Sequence, residues 1–222
     1  RYGVAYNAEI FAGKVLSDRG SGADGGIIQG IEWALENGCA VISMSLGATV
    51  QPGEPFSQIY ETVAQRALAQ GTLIIAAAGN SSSDRFGKRL NPPNPVGRPA
   101  NSPSIMAVAA IDSELQIASF SDGSINPDGG QVDIAGPGVA VYSTWTLNPL
   151  PTWPWEPPNP PARYNTISGT SMATPHVAGI AALYAEATGK RGLELWALLM
   201  RDAQRLSLSS ADAGAGLVQA PK

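Results

Sequence analysis

One cysteine and one histidine in 222 residues are the first constraints this sequence sets. With Cys39 alone no internal disulfide forms, and secreted and cytosolic proteins both do without disulfides, so the count leaves the compartment open. Cys39 sits between Gly38 and the apolar run Ala40 to Ile42, which reads as a small buried hydrophobe. Charge is equally sparse: 14% of residues are charged, the net charge is -4, and no cluster of Lys or Arg exceeds two residues. That excludes the cationic footprint that nucleic acid or an anionic membrane surface requires. Long apolar runs are missing too. Thr72 to Ala78 and Val177 to Tyr184 fall far short of the roughly 20 residues that span a bilayer, and no charged leader precedes an apolar run at the start. What is present is 44% apolar content, enough for a substantial core in one globular domain.

Short apolar runs alternate with helical patterns. Glu9 to Val15 reads as a strand, and Gly26 to Asn37 as a helix with Asp24 as a cap and Gly38 as its stop. Val41 to Leu46, the helix face Ile59, Tyr60, Val63, Ala64, Ala67 and Leu68, and Thr72 to Ala78 make a βαβ crossover. Strands follow at Ser104 to Ile111, Val132 to Ala135, Val139 to Ser143 and Tyr164 to Ile167, then a helix from Thr170 to Ala187. The class is α/β with a mostly parallel sheet. Two loops interrupt the alternation: the Pro-rich Ser81 to Pro103, and Leu147 to Ala162, whose prolines flank Trp153 and Trp155 and suit polyproline II packed on its own domain.

The chemistry concentrates in Gly169-Thr170-Ser171-Met172-Ala173-Thr174-Pro175-His176-Val177-Ala178-Gly179, a strand end running into a helix. A helix N-terminus offers unpaired N–H groups and partial positive charge, which favours an anion forming beside the Ser171 hydroxyl. Pro175 has no N–H to bond the Ser171 carbonyl, and the small residues let the helix press on the sheet. A serine here also suits a plain N-terminal cap.

The run resembles the nucleophile motif of the subtilisin-like serine peptidases (subtilases), and further matches follow in the family's order. These are Ser43-Met44-Ser45-Leu46-Gly47, Ala76-Ala77-Ala78-Gly79-Asn80, Ser102-Pro103-Ser104-Ile105-Met106-Ala107-Val108, Ala118-Ser119-Phe120-Ser121 and Ala135-Gly136-Pro137-Gly138-Val139. The resemblance implies a three-layer sandwich around a mostly parallel sheet, with Ser171 as nucleophile and Asn80 as donor to the oxyanion. It implies that Gly22, Ser45, Leu46, Gly47, Ala78 and Gly79 bind an extended peptide or protein substrate. It further implies a cis bond at Ser102-Pro103 and an extracytoplasmic location. Calcium sites are frequent in the family, but no Asp-rich ligand loop is visible, so no metal or other cofactor is assigned.

The resemblance fails at the front. The family's triad runs Asp, His, Ser along the chain, and neither the Asp-Ser/Thr-Gly nor the His-Gly motif is here. The sequence reads as the C-terminal two-thirds of such a domain, with the missing N-terminal segment or a propeptide as expected partners. His176 does not substitute: five residues beyond Ser171 on one helix, it points about 140° away around the axis. Lys14, Lys88, Lys190 and Lys222 all lie outside the matched segments. Two readings follow, a piece of an active endopeptidase or a non-catalytic peptide-binding chain. An α/β-hydrolase esterase is disfavoured because Ala173 stands where Gly-x-Ser-x-Gly needs its last glycine.

Overall fold

The structure, a computed structural model, describes residues 3–124, 129–145 and 164–222. In chain order the elements are α1 (Asp24–Glu36), β1 (Val41–Met44), α2 (Gln58–Ala69), β2 (Leu73–Ala77), β3 (Met106–Ile111), β4 (Ile134–Pro137), β5 (Val141–Thr144), β6 (Tyr164–Ile167), α3 (Thr170–Thr188), α4 (Gly192–Asp202) and the short α5 (Ser210–Ala213). Strands β1 to β4 form one parallel sheet in sequential order, and β5 and β6 pair as an antiparallel ribbon. The Pro/Trp-rich stretch 147–162 lies outside the described residues.

Alternation within the strands sorts the core into two layers. Ile74 and Ala76 of β2, with Ala107 and Ala109 of β3, face Ile27 and Ile31 of α1 and Tyr60, Val63 and Ala67 of α2. Leu73 and Ile75, with Met106, Val108 and Ala110, face Ala173, Val177 and Ala181 of α3 and Leu195 and Leu199 of α4. A sheet buried on both faces needs near-continuous apolar strands, and all five residues of β2 and all six of β3 are buried. This is the three-layer α/β arrangement. Helix α3 approaches the sheet closely because β4 offers Gly136, where a Cβ would stand 3.0 Å from the Ala173 carbonyl.

Several expectations need correction. Residues 9–15 form no strand. They run across α1 instead: Phe11 meets Trp33 edge-on at 6.2 Å, a Cβ on Gly13 would touch Trp33, and Val15 packs into the space left by Gly30. Among the described residues no strand pairs with them: a groove separates them from the open edge of β1. Asp24 does not cap α1. The N-cap is Ala23, and Asp24 is the first helical residue. The bond at Ser102-Pro103 is not cis; cis bonds occur at Asn91-Pro92 and Arg98-Pro99. The reversal at this point is closed by Asn101 N–H donating to Gly97 O and Ser102 N–H to Pro99 O, so Pro99 lies within it and Pro103 after it. Cys39 is half-buried rather than buried, and burial raises its thiol pKa. Gly179 meets Val4 rather than the sheet. Helix α4 stands where the sequence reading places no element.

Asp133 precedes β4 and accepts from Ala107 N–H at 2.7 Å, with no Lys or Arg paired to it among the described residues. Burial pushes its carboxyl up to about 7, against 3.8 unperturbed. A carboxyl with a raised folded-state pKa favours folding below pH 3.8 and loses that contribution as pH rises through 7, at about 1.4 kcal/mol per unit. Asp133→Asn keeps an acceptor for Ala107 N–H but cannot ionise. Its melting temperature should exceed the parent's at pH 8 and match it near pH 4, and scanning calorimetry at both values checks this.

Candidate active site

Strands β1 and β2 lie side by side in parallel, Met44 opposite Ala76, so their continuations Ser45-Leu46-Gly47 and Ala78-Gly79-Asn80 leave the sheet at the same end. Ligands bind at strand C-termini in sheets of this kind. Helix α3 starts between the two continuations. Ser171, in its first turn, is half-buried, and its Oγ lies 3.3 Å from the Ser45 carbonyl oxygen, to which it donates. The Ser45 hydroxyl donates back to the Ser171 carbonyl at 2.8 Å. That carbonyl is available because residue 175 is proline and supplies no intrahelical donor.

Thr170 organises the other wall. Fully buried, it presents its N–H to Asn80 Oδ1 at 2.8 Å and its hydroxyl to the same oxygen at 2.9 Å. The hydroxyl oxygen also accepts from Gly79 N–H at 3.2 Å. A backbone N–H can only donate, so the amide orientation of Asn80 is fixed: Oδ1 is held by Thr170, and Nδ2 remains as a donor on the cleft side, near Gly169. Thr170→Val would strip Gly79 of its acceptor and Asn80 of one donor inside the protein. A loss of about 1–3 kcal/mol is expected in denaturant unfolding, the cost of a buried polar group left unmatched.

Behind Gly79 and Asn80 stands Asp122, fully buried. It accepts from Ser81 N–H and Ser81 Oγ at 2.9 Å and from Ser82 Oγ at 2.7 Å, while its own N–H donates to Gly79 O at 2.9 Å. Burial raises its carboxyl pKa, and the Ser82 and Ser81 hydrogen bonds pull it back. Gly79 adopts φ +118°, and a Cβ there would collide with the Asp122 carboxylate, so only glycine fits. Gly22 is equally constrained, because a Cβ would meet the Val15 carbonyl at 2.6 Å and Leu16 at 2.7 Å.

One cleft of about 500 Å³ takes in Gly22, Ser45, Leu46, Gly47, Gly79, Asn80, Thr170 and Ser171 together with Asp24, Tyr60, Gly97, Arg98 and Asp122. Of the residues named from sequence, only Ala78 is off this surface; it is fully buried behind it and donates its N–H to Val108 O at 3.0 Å. Sequence reasoning missed Thr170 and Asp122 as organisers, although both touch quoted motifs; it placed Tyr60 only on the face of α2, and Arg98 not at all. His176 is occupied elsewhere, its Nδ1 2.8 Å from the Met172 carbonyl oxygen. Among the described residues no group of His, Cys, Asp or Glu has metal-site geometry, and no helix is long and apolar enough to cross a membrane.

A half-buried serine at a helix N-terminus, facing two strand ends of a parallel α/β sheet and a fixed amide donor, is the arrangement of a serine hydrolase. The subtilase family profile (peptidase family S8) matches residues 1–218, and the chain belongs to that family. It is 41% identical over 181 residues to subtilisin DY of Bacillus licheniformis, covering 82% of this chain and 55% of the relative. With subtilisin E of Bacillus subtilis (strain 168) the identity is again 41% over 181 residues, 82% of this chain and 40% of the relative. A cuticle-degrading serine protease of Arthrobotrys oligospora is 38% identical, covering 84% of this chain and 39% of that protein. The crystal structure of a cold-adapted subtilisin-like serine proteinase superposes with a TM-score of 0.75 at 32% identity, covering all of this chain and 70% of the other. The chain thus spans about half or less of the length of these curated relatives.

Proposed function

We propose that the protein is a serine endopeptidase in which Ser171 forms the acyl-enzyme and Asn80 Nδ2 donates to the oxyanion, and that residues outside 1–222 supply the general base and its orienting carboxylate. The observation that carries the reading is the pairing of a hydroxyl at the start of α3 with an asparagine whose amide direction is fixed by Thr170. A peptide-binding surface alone needs neither. An extended peptide laid along Ser45 to Gly47 on one wall and Gly22 on the other would bring its carbonyl between Ser171 Oγ and Asn80 Nδ2. Attack by Oγ places negative charge on that carbonyl oxygen, and Nδ2 with the Ser171 N–H offsets it, the neighbouring Thr170, Met172 and Ala173 N–H groups being engaged by Asn80 and Gly169.

A route for the base is supported by the surface beside the cleft. A groove of about 1350 Å³ opens between residues 3–18, β1 and the outer side of α3, and its lining reaches Ser43, Ser45 and Pro175, next to Ser171. Strand β1 has β2 as its only neighbour among the described residues, so its other edge faces this groove unpaired. A segment seated there reaches Ser171, and we assign the base to such a segment. Peptide or protein substrates and an extracytoplasmic location belong to the same reading.

The experiment uses a longer form of the protein that carries the Asp-Ser/Thr-Gly and His-Gly motifs. A fluorophosphonate should add to Ser171, read by peptide mass, and Ser171→Ala should abolish peptide hydrolysis. Hydrolysis that survives Ser171→Ala overturns the assignment.

A further inference from the structure

At its end remote from Ser171 the cleft carries charges for which the acyl transfer has no use. Ser45 touches Ser171, and three residues on, Ala48 exchanges both backbone hydrogen bonds with Arg98, each 2.8 Å. At about 3.3 Å per extended residue this lies roughly 10 Å from the nucleophile, the reach of three residues of an extended peptide. Gly47 and Gly97 permit the close pairing: a Cβ on the first would stand 2.9 Å from Arg98 O, and on the second 2.7 Å from Ala48 O.

Here Asp24, Tyr60 and Arg98 line the cleft beside Ile27 and Leu46. The two charges are unequally satisfied. The Tyr60 hydroxyl donates to Asp24 Oδ1 at 3.1 Å, and burial followed by the Asp24 contact raises the Tyr60 pKa, which keeps that hydroxyl a donor. Asp24 also sits in the first turn of α1, where the helix favours an anion, and Arg98 Nη2 lies 3.8 Å from its Oδ2. Against these three sources of compensation the Arg98 guanidinium has, among the described residues, this one long ion contact, with its side chain 38% exposed. Its planar fork of N–H donors matches a carboxylate.

We propose that Arg98 is a specificity-determining residue that selects an acidic side chain, Glu or Asp, three or four residues from the scissile bond on the stretch of peptide that pairs with Ser45 to Gly47. The inference rests on the peptidase reading above for what the cleft holds. An apolar side chain at this place would desolvate Asp24 and Arg98 without replacing their hydrogen bonds, and a lysine would bring a second cation to Arg98. Ile27 and Leu46 are placed to cover the methylenes of a glutamate.

The test is a positional scan of fluorescein-labelled peptides, each position in turn Glu, Leu or Lys. Binding to the Ser171→Ala form of the longer protein is read by anisotropy. One position should favour Glu over Leu by about fivefold, less at high salt, as partly exposed ion pairs do. Arg98→Ala and, with the stem retained, Arg98→Gln should bring that ratio to about one at the same position. A scan with no acid-favoured position, one in which Leu or Lys binds best, a ratio indifferent to both Arg98 variants, or no peptide binding at all overturns the proposal. Acid-selective binding by a protein that cleaves nothing when Ser171 is restored sustains this inference and refutes the peptidase reading.

Discussion

Residues 1–222 by themselves are expected to react with a fluorophosphonate at least about 10³-fold more slowly than the longer protein, and to hydrolyse no peptide above background. The serine hydroxyl is protonated at neutral pH and is a poor nucleophile until a neighbour takes its proton. In this chain Oγ donates to the Ser45 carbonyl, which is an acceptor of hydrogen bonds but not of protons at neutral pH. The one histidine is turned to Met172 O. In subtilisin, a relative of this chain, loss of the histidine or the serine lowers turnover about 2 × 10⁶-fold, with a residual 10³ to 10⁴ over water from the remaining site. On the proposed reading, Ser171 and Asn80 without that base should support slow labelling at most. Time courses of probe incorporation, with Ser171→Ala as the blank, measure it. Labelling at the rate of the longer protein would place a base within residues 1–222 and refute the division of the site.

The second large effect is at Asn80. In the longer protein, Asn80→Ala should lower kcat by about 10²–10³ and leave KM within a few-fold, the behaviour of a donor that meets charge only in the transition state. The magnitude is that of removing the oxyanion asparagine in subtilisin. Stability should also fall, by about 1–3 kcal/mol and less than the transition state loses, because the fully buried Thr170 gives up the acceptor of its N–H and hydroxyl. A loss carried by KM, or a fall in stability as large as that in activity, would make Asn80 a wall residue instead. Steady-state kinetics beside a denaturant titration separate the cases.

The layers and most strands of the fold are legible in the sequence because a buried parallel sheet writes its strands as unbroken apolar runs, and β2 and β3 are such runs. Helices α1 and α2 announce themselves through the spacing of Ile27, Ile31 and Ala34, and of Tyr60, Val63 and Ala67. Residues 9–15 mislead for a physical reason. Apolar residues that pack on a helix flank and apolar residues in a strand look alike until a partner edge is known. The site was legible where chemistry and backbone coincide, at Ser171, Asn80 and the glycines. What stayed hidden depends on residues far apart in sequence: Asp122 behind Gly79, Thr170 reaching back 90 positions to Asn80, and Arg98 brought to Asp24 and Tyr60 by pairing with Ala48. A single aspartate after a serine reads as a turn until the fold shows three donors converging on it.

Proline at position 175 has a mechanical result. The gap it opens in the ladder of α3 is filled from outside the helix by the Ser45 side chain, while the Ser171 side chain reaches the Ser45 main chain in return. Two links of opposite polarity then tie the reactive turn to the tip of β1. On the peptidase reading proposed above, a peptide that stiffens this tip would also stiffen the nucleophile, so tightening the grip on the peptide and holding the attacking oxygen steady would become one and the same adjustment.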